Sequence, residues 1–379
     1  MTKENKKDAK REELRVLILA GALEPRGSSA YTWRLAEALM ARGIEVQILC
    51  QRSQGCSLLR QKNIPLIEYT GLDWPFLRFW MVRALRKRAA EFRPDLIHIQ
   101  THHLLPLGQW LSQSWKIPEV LTVHNILDHP TSMRFLPTYG GKIITISRAV
   151  RNHLLERIQI PESLVQVIYS GVKIPPMDHC AERPKEHVPV VGTAGPLEST
   201  KGQDYFLRAA QLVKKAGFDV EFLIAGRGPD EASLRGLANE LKLTRQVTFV
   251  PYLQEYREAL EAMDIFCLPS LQQGLGTVMF EAMALSKPVI ATGVGGVSDA
   301  LTDNENGLIV ESHNPQALAE KIIYLLKNRA EVQRLGQAGR KLVEERFGLD
   351  RMAEETLEVY REVLPYVDKK ASPKKEKAS

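Results

Sequence analysis

The sequence of 379 residues is poor in cysteine and has no long apolar run. Its four cysteines, Cys50, Cys56, Cys180 and Cys267, lack metal-ligand spacing, and so few in a chain of this length do not indicate a disulfide framework. The longest uncharged stretch, residues 96–115, holds glutamine, threonine, serine and histidine side chains, which excludes a membrane-spanning helix. This composition predicts a protein of the reducing cytoplasm.

Three common sequence signals are also missing. The first apolar run, from Leu14 to Ala20, is too short for the apolar core of a signal peptide. The loops that follow the first predicted strand of each domain lack the Gly-x-Gly-x-x-Gly pattern of dinucleotide-binding proteins, so a dehydrogenase is poorly supported. The segment from Gly21 to Gly27 has neither the spacing nor the lysine of a P-loop, which excludes a P-loop NTPase.

Net charge is concentrated in a few segments. The formal net charge is +6, of which residues 1–15 carry +2 and residues 368–379 carry +3. Residues 74–93 carry a further +5, so the rest of the chain is net negative. The basic balance therefore does not indicate a nucleic-acid partner, and we expect disordered basic tails at residues 1–13 and 368–379.

The main body alternates short apolar runs with amphipathic helices. Leu14–Ala20 and Ile44–Cys50 have the length of buried strands, and Ser28–Arg42 between them has apolar residues at helical spacing. Continuous apolar strands that alternate with helices are typical of a parallel sheet covered on both faces. The sequence predicts an α/β protein with two doubly wound, Rossmann-like domains, at residues 14–175 and 176–348, and an interdomain cleft for the ligand.

The segment from Pro269 to Met283 carries the strongest chemical signal. A strand is predicted to end at Leu268 and a helix to begin near Gly276. Gly274 and Gly276 let the backbone approach a ligand, and the first amides of the helix favour an anion such as a diphosphate. Glu281 can accept hydrogen bonds from a vicinal diol such as a ribose. The alternative is an ordinary strand-to-helix turn with a solvated glutamate.

Several motifs occur in a fixed order along residues 14–364. Seven residues separate Gln273 from Glu281. A known glycosyltransferase motif has two glutamates at the same spacing, so Gln273 stands at the position of the first. The other motifs are Val123-His124, Ser170-Gly171-Val172, Gly195-Pro196-Leu197-Glu198-Ser199-Thr200-Lys201-Gly202, Ala225-Gly226-Arg227-Gly228-Pro229, Lys287-Pro288-Val289-Ile290-Ala291-Thr292 and Gly295-Gly296. The ordered set resembles the retaining family 4 glycosyltransferases of the GT-B fold, of the "glycosyl transferases group 1" type.

The resemblance implies a function and a set of site residues. The second domain would hold a UDP- or GDP-sugar, without cofactor or metal, because cations and a helix dipole carry the phosphate charge. A last helix, within residues 349–367, would return to the first domain. The resemblance assigns catalytic roles to His124 at the transferred sugar, Lys201 at the diphosphate, Gln273, and Glu281 at the ribose. It assigns donor binding to Gly27, Gly195, Lys201, Arg227, Gly274, Leu275, Gly276, Thr277, Glu281, Gly295 and Gly296.

Two departures from the family pattern bear on the chemistry. Gln273 replaces the first glutamate of the signature; its amide can hydrogen bond to sugar hydroxyls but cannot act as a nucleophile or a negative charge. Pro196 replaces an arginine, which removes one cation near the diphosphate, and Arg227 or Lys173 are candidates to compensate. Because Gln273 cannot act as a nucleophile, we expect front-face retention, in which the departing phosphate helps to deprotonate the acceptor.

Histidines and one basic segment leave alternatives open. No His-Glu-x-x-His helix and no cysteine accompany the histidines of the first domain, so we expect no metal site there. Residues 74–93 mix six cations with aromatic and aliphatic side chains. Such a segment either packs its apolar stripe on the sheet or lies on an anionic membrane. The histidines in question are His98, His102, His103, His124 and His129.

The sequence as a whole predicts a cytoplasmic glycosyltransferase. It would move a hexose or N-acetylhexosamine from a nucleotide sugar to an acceptor hydroxyl with retention, in cell-envelope or extracellular glycan or glycolipid synthesis. The acceptor would be a glycan or a lipid-linked molecule, met at the inner face of the membrane if residues 74–93 bind lipid. The alternatives are a sugar-nucleotide-binding protein with weak or no transferase activity, motivated by Gln273 and Pro196, and a GT-B nucleotide-sugar epimerase.

Overall fold

The computed structural model describes residues 14–23, 28–52, 55–69, 78–126, 135, 137–176, 187–250 and 257–364. The predicted tails, Gly27, His129 and residues 74–77 lie outside the described residues. The chain divides into two compact units. Of the described residues, the first unit contains those within 14–145, 151–168 and 353–364, and the second contains those within 146–150 and 169–352.

The first unit is built on a seven-stranded sheet whose order is β3-β2-β1-β4-β5-β6-β7. All of its strand pairs are parallel. The strands are β1 Arg15–Ala22, β2 Glu45–Gln51, β3 Leu66–Tyr69, β4 Leu96–Ile99, β5 Glu119–Val123, β6 Gly141–Thr145 and β7 Val165–Val167. The helices along this part of the chain are α1 Ser28–Met40, α2 Gly55–Gln61, α3 Arg78–Glu91, α4 Leu105–Trp115 and α5 Arg148–Glu156.

The second unit is built on a six-stranded parallel sheet whose order is β10-β9-β8-β11-β12-β13. The strands are β8 Val190–Ala194, β9 Glu221–Ala225, β10 Val247–Val250, β11 Ile265–Leu268, β12 Val289–Thr292 and β13 Leu308–Val310. The helices are α6 Gln203–Lys215, α7 Glu231–Glu240, α8 Arg257–Ala262, α9 Thr277–Ala284, α10 Pro315–Lys327, α11 Arg329–Arg346 and α12 Leu349–Val363. The division between the units falls within α12, after Met352.

Burial of continuous apolar strands explains both sheets. Strand β4 and strand β5 are buried along their whole length, as are β11 and β12. Helices close both faces of such a sheet because neither face can be left to water. The predicted fold, two doubly wound Rossmann-like units, is confirmed.

The strand orders place a topological switch point in each sheet. In the first unit the order reverses between β1 and β4, and in the second it reverses between β8 and β11. Ligands of doubly wound sheets bind beside the carboxyl ends of the strands at such points. Ligand-binding residues are therefore expected in the loops that follow β8 and β11, and in those that follow β1 and β4 with the loop after the neighbouring strand β5.

A buried carboxyl group in the first unit leads to a prediction about stability. Glu119 begins β5 and is almost completely buried; its Oε2 has no hydrogen-bond partner among the described residues. Burial raises the pKa of Glu119 to about 7, against a smaller opposite effect of a hydrogen bond with Gln109. The folded state thus holds a proton that the unfolded chain loses near pH 4.5, so this group's contribution to stability falls between about pH 4.5 and pH 7.

The Glu119→Gln variant is expected to be more stable than the wild-type protein at pH 8.5 by about 2 to 3 kcal/mol, because it has no proton to lose. At pH 4.5 the two proteins should have about the same free energy of unfolding. Urea unfolding of both proteins across this range measures the difference. A difference that does not depend on pH would contradict the assignment of a protonated Glu119.

Candidate functional site

Three loops at the carboxyl edge of the second sheet are joined backbone to backbone. The amides of Leu271 and Gln272, after β11, both donate to the carbonyl of Thr200, after β8, at 2.8 and 3.2 Å. The amide of Gly296, after β12, donates to the carbonyl of Gly274 at 2.9 Å. These hydrogen bonds hold the loops after β8, β11 and β12 in fixed positions relative to one another.

Two glycines are required where these loops meet. Gly202 has φ +66°, and a Cβ placed there would lie 2.1 Å from the carbonyl oxygen of Pro269. Gly295 has φ +58°, and a Cβ placed there would lie 1.7 Å from the carbonyl oxygen of Gln273. Any side chain would both strain the backbone and collide with a neighbouring peptide. The packing of the loops therefore explains both glycines without reference to a ligand.

The loop after β9 joins the same cluster. The amide of Leu197 donates to the carbonyl of Arg227 at 2.9 Å, and the amide of Gly195 donates to the carbonyl of Ala225 at 2.9 Å. The Arg227 side chain is exposed. The predicted donor residues Gly195 and Arg227 thus belong to adjoining loops at one edge of the sheet.

Helix α9 begins with uncapped amides. The residue before it, Gly276, has φ +79° and offers no side-chain cap. Within the described residues, the amides of Leu275, Gly276 and Thr277 donate to no protein group. Unsatisfied first-turn amides carry the positive end of the helix dipole and favour an anion. Glu281 is half-buried and lies four residues beyond Thr277, one turn along the same side of α9.

The ammonium group of Lys201 lies against the side chain of Gln273. Its Nζ donates to Oε1 of Gln273 at 2.9 Å and to the carbonyl of Gln272 at 3.4 Å. Ser270 Oγ is 3.4 Å from the same Oε1. The structure thus brings together two residues that are 72 positions apart and that the sequence placed in one site.

The charge of Lys201 is not neutralised by this contact. Gln273 supplies a neutral amide, and among the described residues no carboxylate lies within ion-pair distance of Nζ. Burial lowers the pKa of Lys201, against a smaller opposite effect of Glu198. A partly buried cation without a counter-ion is electrostatically complementary to an anion, and it lies in the same loop cluster as the uncapped amides of α9.

His124 follows β5 in the first unit and belongs to a buried polar network. Its Nε2 is 3.1 Å from Oε1 of Gln100, whose Nε2 is in turn 3.1 Å from Nε2 of His98. The other ring nitrogen of His98 is 2.6 Å from the hydroxyl of Tyr360 on α12. Burial lowers the pKa of His124 to about 4 and that of His98 to about 3, with the charge of His124 a smaller cause for His98. Both rings are therefore neutral at pH 7.

The sequence did not indicate several of these residues. Tyr360 lies 262 positions from His98, and nothing near it in the sequence connects it to the histidines. Gln100 directly follows the buried strand β4, and its position at the carboxyl edge of the sheet is a signal that could have been used. Ser270 and Thr200 lie inside motifs that the sequence singled out, without roles of their own.

Two further findings concern metal and membrane. Among the residues that the structure describes, no three histidine, cysteine, aspartate or glutamate side chains lie close enough to hold a metal ion. In the same residues no helix is both long and apolar enough to cross a bilayer.

Comparison with known proteins defines the class. The family model described as Glycosyltransferase Family 4 matches residues 25–174, and the one described as Glycosyl transferases group 1 matches residues 178–342, so together they span most of the chain. With its two Rossmann-like units and these two matches, the chain belongs to the family 4 glycosyltransferases of the GT-B fold.

Individual relatives agree with this class. The chain is similar to a D-inositol 3-phosphate glycosyltransferase of Nocardia farcinica, with 28% identity over 84% of this chain and 81% of the relative. In structure it is similar to a glycosyltransferase of Rickettsia africae, with TM-score 0.80, 23% identity and coverage of 93% and 99%. It is also similar to HepE of Anabaena in complex with UDP and glucose, with TM-score 0.80, 20% identity and coverage of 92% and 100%. At these identities the two structures establish the fold alone.

Proposed function

We propose that this glycosyltransferase moves a hexose or N-acetylhexosamine from a UDP- or GDP-sugar to an acceptor hydroxyl. The observation that carries the proposal is the partly buried ammonium of Lys201, without a carboxylate partner among the described residues, in one loop cluster with the uncapped amides of α9. A diphosphate supplies the negative charge that this arrangement lacks. The UDP and glucose bound by HepE of Anabaena support a nucleotide sugar as the donor.

Each part of the donor has a proposed partner. Lys201 and the amides of Leu275, Gly276 and Thr277 bind the diphosphate, and Glu281 accepts hydrogen bonds from the ribose hydroxyls. The remaining donor residues, Gly195, Arg227, Gly274, Gly295 and Gly296, provide a close backbone approach and one further cation; Gly27 lies outside the described residues. No metal takes part in this proposal, because the ammonium group and the helix dipole carry the charge of the leaving phosphate.

The side chain of Gln273 bears on how the proposed transfer retains the anomeric configuration. Its Oε1 accepts a hydrogen bond from Lys201, which orients the amide nitrogen for a sugar hydroxyl. The family resemblance implies retention, and because an amide cannot form a glycosyl-enzyme bond, we propose that retention proceeds by front-face attack. In that reaction the bond between the anomeric carbon and the phosphate oxygen breaks, the acceptor oxygen bonds to the same face, and the acceptor proton passes to the leaving phosphate.

His124 acts in the proposal as a neutral hydrogen-bonding group for the transferred sugar. Its pKa of about 4 leaves the ring uncharged at pH 7. The ring therefore does not repel a developing positive charge at the anomeric carbon. The ring is half-buried, so a hydrogen bond to it is partly shielded from solvent.

A panel of nucleotide sugars tests the proposal directly. Thermal unfolding of the full chain is followed with UDP- and GDP-hexoses and N-acetylhexosamines, with EDTA present throughout. One nucleotide should raise the melting temperature, and the same compound should then donate its sugar to an added acceptor pool. No stabilisation by any nucleotide sugar would contradict the proposal.

The outcome of the transfer step separates the two alternatives. A sugar-nucleotide-binding protein would be stabilised by the donor without transferring or hydrolysing it, and Gln273→Glu would then create activity. An epimerase would convert the nucleotide sugar into an isomer without any acceptor, and product analysis would show this.

A membrane-associated acceptor is part of the proposal, with cell-envelope or extracellular glycans or glycolipids as products. In α3, Leu85 and Ala89 are buried, so the helix packs these two side chains against its own unit. Arg83, Lys87 and Arg88 are exposed. Arg86 lies over the ring of Trp110 on α4, 5.4 Å from its centroid, and 38% of Trp110 is exposed. Exposed cations beside an exposed tryptophan are suited to the anionic inner surface of a cell membrane.

Vesicle sedimentation tests this part of the proposal. We expect binding to vesicles rich in anionic lipid at low salt and weaker binding to zwitterionic vesicles, because about 1 kcal/mol per cation is available near an anionic surface. The triple variant Arg83→Glu, Lys87→Glu, Arg88→Glu should lose this binding. A double variant at exposed lysines of α6, Lys214→Glu and Lys215→Glu, should keep it. Absence of binding to anionic vesicles at low salt would exclude the membrane contact.

A further inference from the structure

The side chain of Gln100 lies between two histidines of the first unit. Its amide nitrogen is 3.1 Å from Nε2 of His98, and its amide oxygen is 3.1 Å from Nε2 of His124. An amide nitrogen can only donate a hydrogen bond and an amide oxygen can only accept one. The two contacts therefore dictate which nitrogen of each ring carries a proton.

At the His98 end the amide requires an unprotonated Nε2. The hydroxyl of Thr122 is also 2.7 Å from this nitrogen. His98 is fully buried and neutral, and a neutral imidazole has one N–H group. The proton is thus on Nδ1, which donates to the hydroxyl oxygen of Tyr360 at 2.6 Å.

At the His124 end the same amide requires a protonated Nε2. This N–H group donates to Oε1 of Gln100, so Nδ1 of the neutral ring is unprotonated. No described residue donates a hydrogen bond to Nδ1. The ring of Tyr31 packs edge-on against His124, with 4.9 Å between centroids and 76° between planes. Tyr31 is buried, so this contact restricts rotation of the imidazole.

We propose that Gln100 is a positioning residue that holds His98 and His124 in opposite neutral tautomers. His124 then presents an unprotonated Nδ1, which accepts a hydrogen bond from a hydroxyl of the transferred sugar. The identity of that ligand rests on the proposed function, whereas the two tautomers are properties of the free protein. A reversed amide would reverse both tautomers together and leave Nδ1 of His124 as a donor.

Nitrogen NMR of the full chain, labelled with ¹⁵N at histidine and assigned by single histidine substitutions, tests the tautomers without any substrate. We expect His124 to carry its proton on Nε2 and His98 to carry its proton on Nδ1. A proton on Nδ1 of His124, or the same tautomer in both rings, would overturn the proposal.

Two variants test the role of Gln100 itself. Gln100→Met removes both hydrogen bonds, and the single tautomer of His124 should be replaced by a mixture. Gln100→Glu keeps an acceptor for Nε2 of His124 but also presents an oxygen to His98, so both rings should carry their proton on Nε2. The added charge should raise the pKa of His124. Gln113→Met, at an exposed position of α4, is the matched control and should change neither ring.

Kinetics connect the tautomer to the transfer reaction. Gln100→Met should lower kcat about tenfold and leave the affinity for the nucleoside diphosphate, which lacks the sugar, unchanged. Gln100→Glu should recover part of kcat and shift the acidic limb of its pH profile upward, which a merely structural role would not do. If Gln100→Met left the histidine tautomers and kcat unchanged, the role of Gln100 would be refuted and the proposed function would be unaffected. Failure of the wild-type protein to bind any nucleotide would instead refute the proposed function and leave the NMR result standing.

Discussion

Replacing Lys201 by methionine is expected to weaken binding of the nucleotide sugar about 100-fold and to lower kcat/KM by about three orders of magnitude. The loss in affinity corresponds to about 3 kcal/mol, the range of a charge-assisted hydrogen bond to a buried anion. The larger loss in kcat/KM follows because the charge on the phosphate grows as the bond to the sugar breaks. Titration calorimetry and initial rates measure the two effects.

The same substitution should not harm the free protein. Lys201 holds a partly buried charge that no described carboxylate neutralises, and burial lowers its pKa. Removing such a charge relieves a desolvation cost, so the melting temperature without ligand should stay the same or rise. Lys214→Met, on the exposed side of α6, is the control and should keep full affinity. A Lys201→Met variant that binds the donor as tightly as the wild-type protein would remove the basis of the proposed site.

Replacing Gly295 by alanine is the second large effect, and we expect at least a tenfold loss of donor affinity. The new Cβ would lie 1.7 Å from the carbonyl oxygen of Gln273, at a backbone φ of +58°. The loop after β12 must then move away from the loop that carries Gln273 and leads into α9. The backbone amides at the start of α9, which bind the diphosphate in the proposal, and the Gln273 side chain, which contacts Lys201, move with that loop. Donor binding is therefore weakened although no side chain that binds the donor has changed.

Gly236→Ala separates this effect from a general response to added side chains. Gly236 lies within α7, and a Cβ placed there would meet no atom within 4 Å. We expect this variant to be more stable by about 0.5 to 1 kcal/mol, with unchanged donor affinity. If Gly295→Ala also bound the donor normally, the packed arrangement of the loops would not be needed for binding.

The sequence predicted the fold because hydrophobic periodicity marks most of its elements. Strand β1 overlaps the predicted run Leu14–Ala20, and strand β11 ends at Leu268 as predicted, because both are mostly or fully buried apolar runs. Strand β3 and strand β13 were not predicted. The edge strand β3 alternates buried and half-buried residues over only four positions, and β13 has three residues. Such short segments carry too little periodicity to be distinguished from loops.

The candidate site was predictable only where its parts are local in sequence. The turn before α9 was indicated by its two glycines, and the Lys201 loop by its motif. The hydrogen bond between Lys201 and Gln273 depends on how two loops 72 residues apart pack at the switch point. The link from Tyr360 through His98 and Gln100 to His124 depends on where the last helix lies against the first unit's sheet. Neither arrangement leaves a trace in local spacing.

The most direct test of the account is transfer by the full chain from an anomerically pure UDP- or GDP-sugar in the presence of EDTA, with the configuration of the product read by NMR. We expect transfer without metal, retention of the anomeric configuration, and in Lys201→Met binding that is weaker about 100-fold with kcat/KM lower by about three orders of magnitude. An inverted product, a requirement for added divalent metal, or transfer by Lys201→Met at the wild-type rate would contradict the proposed function.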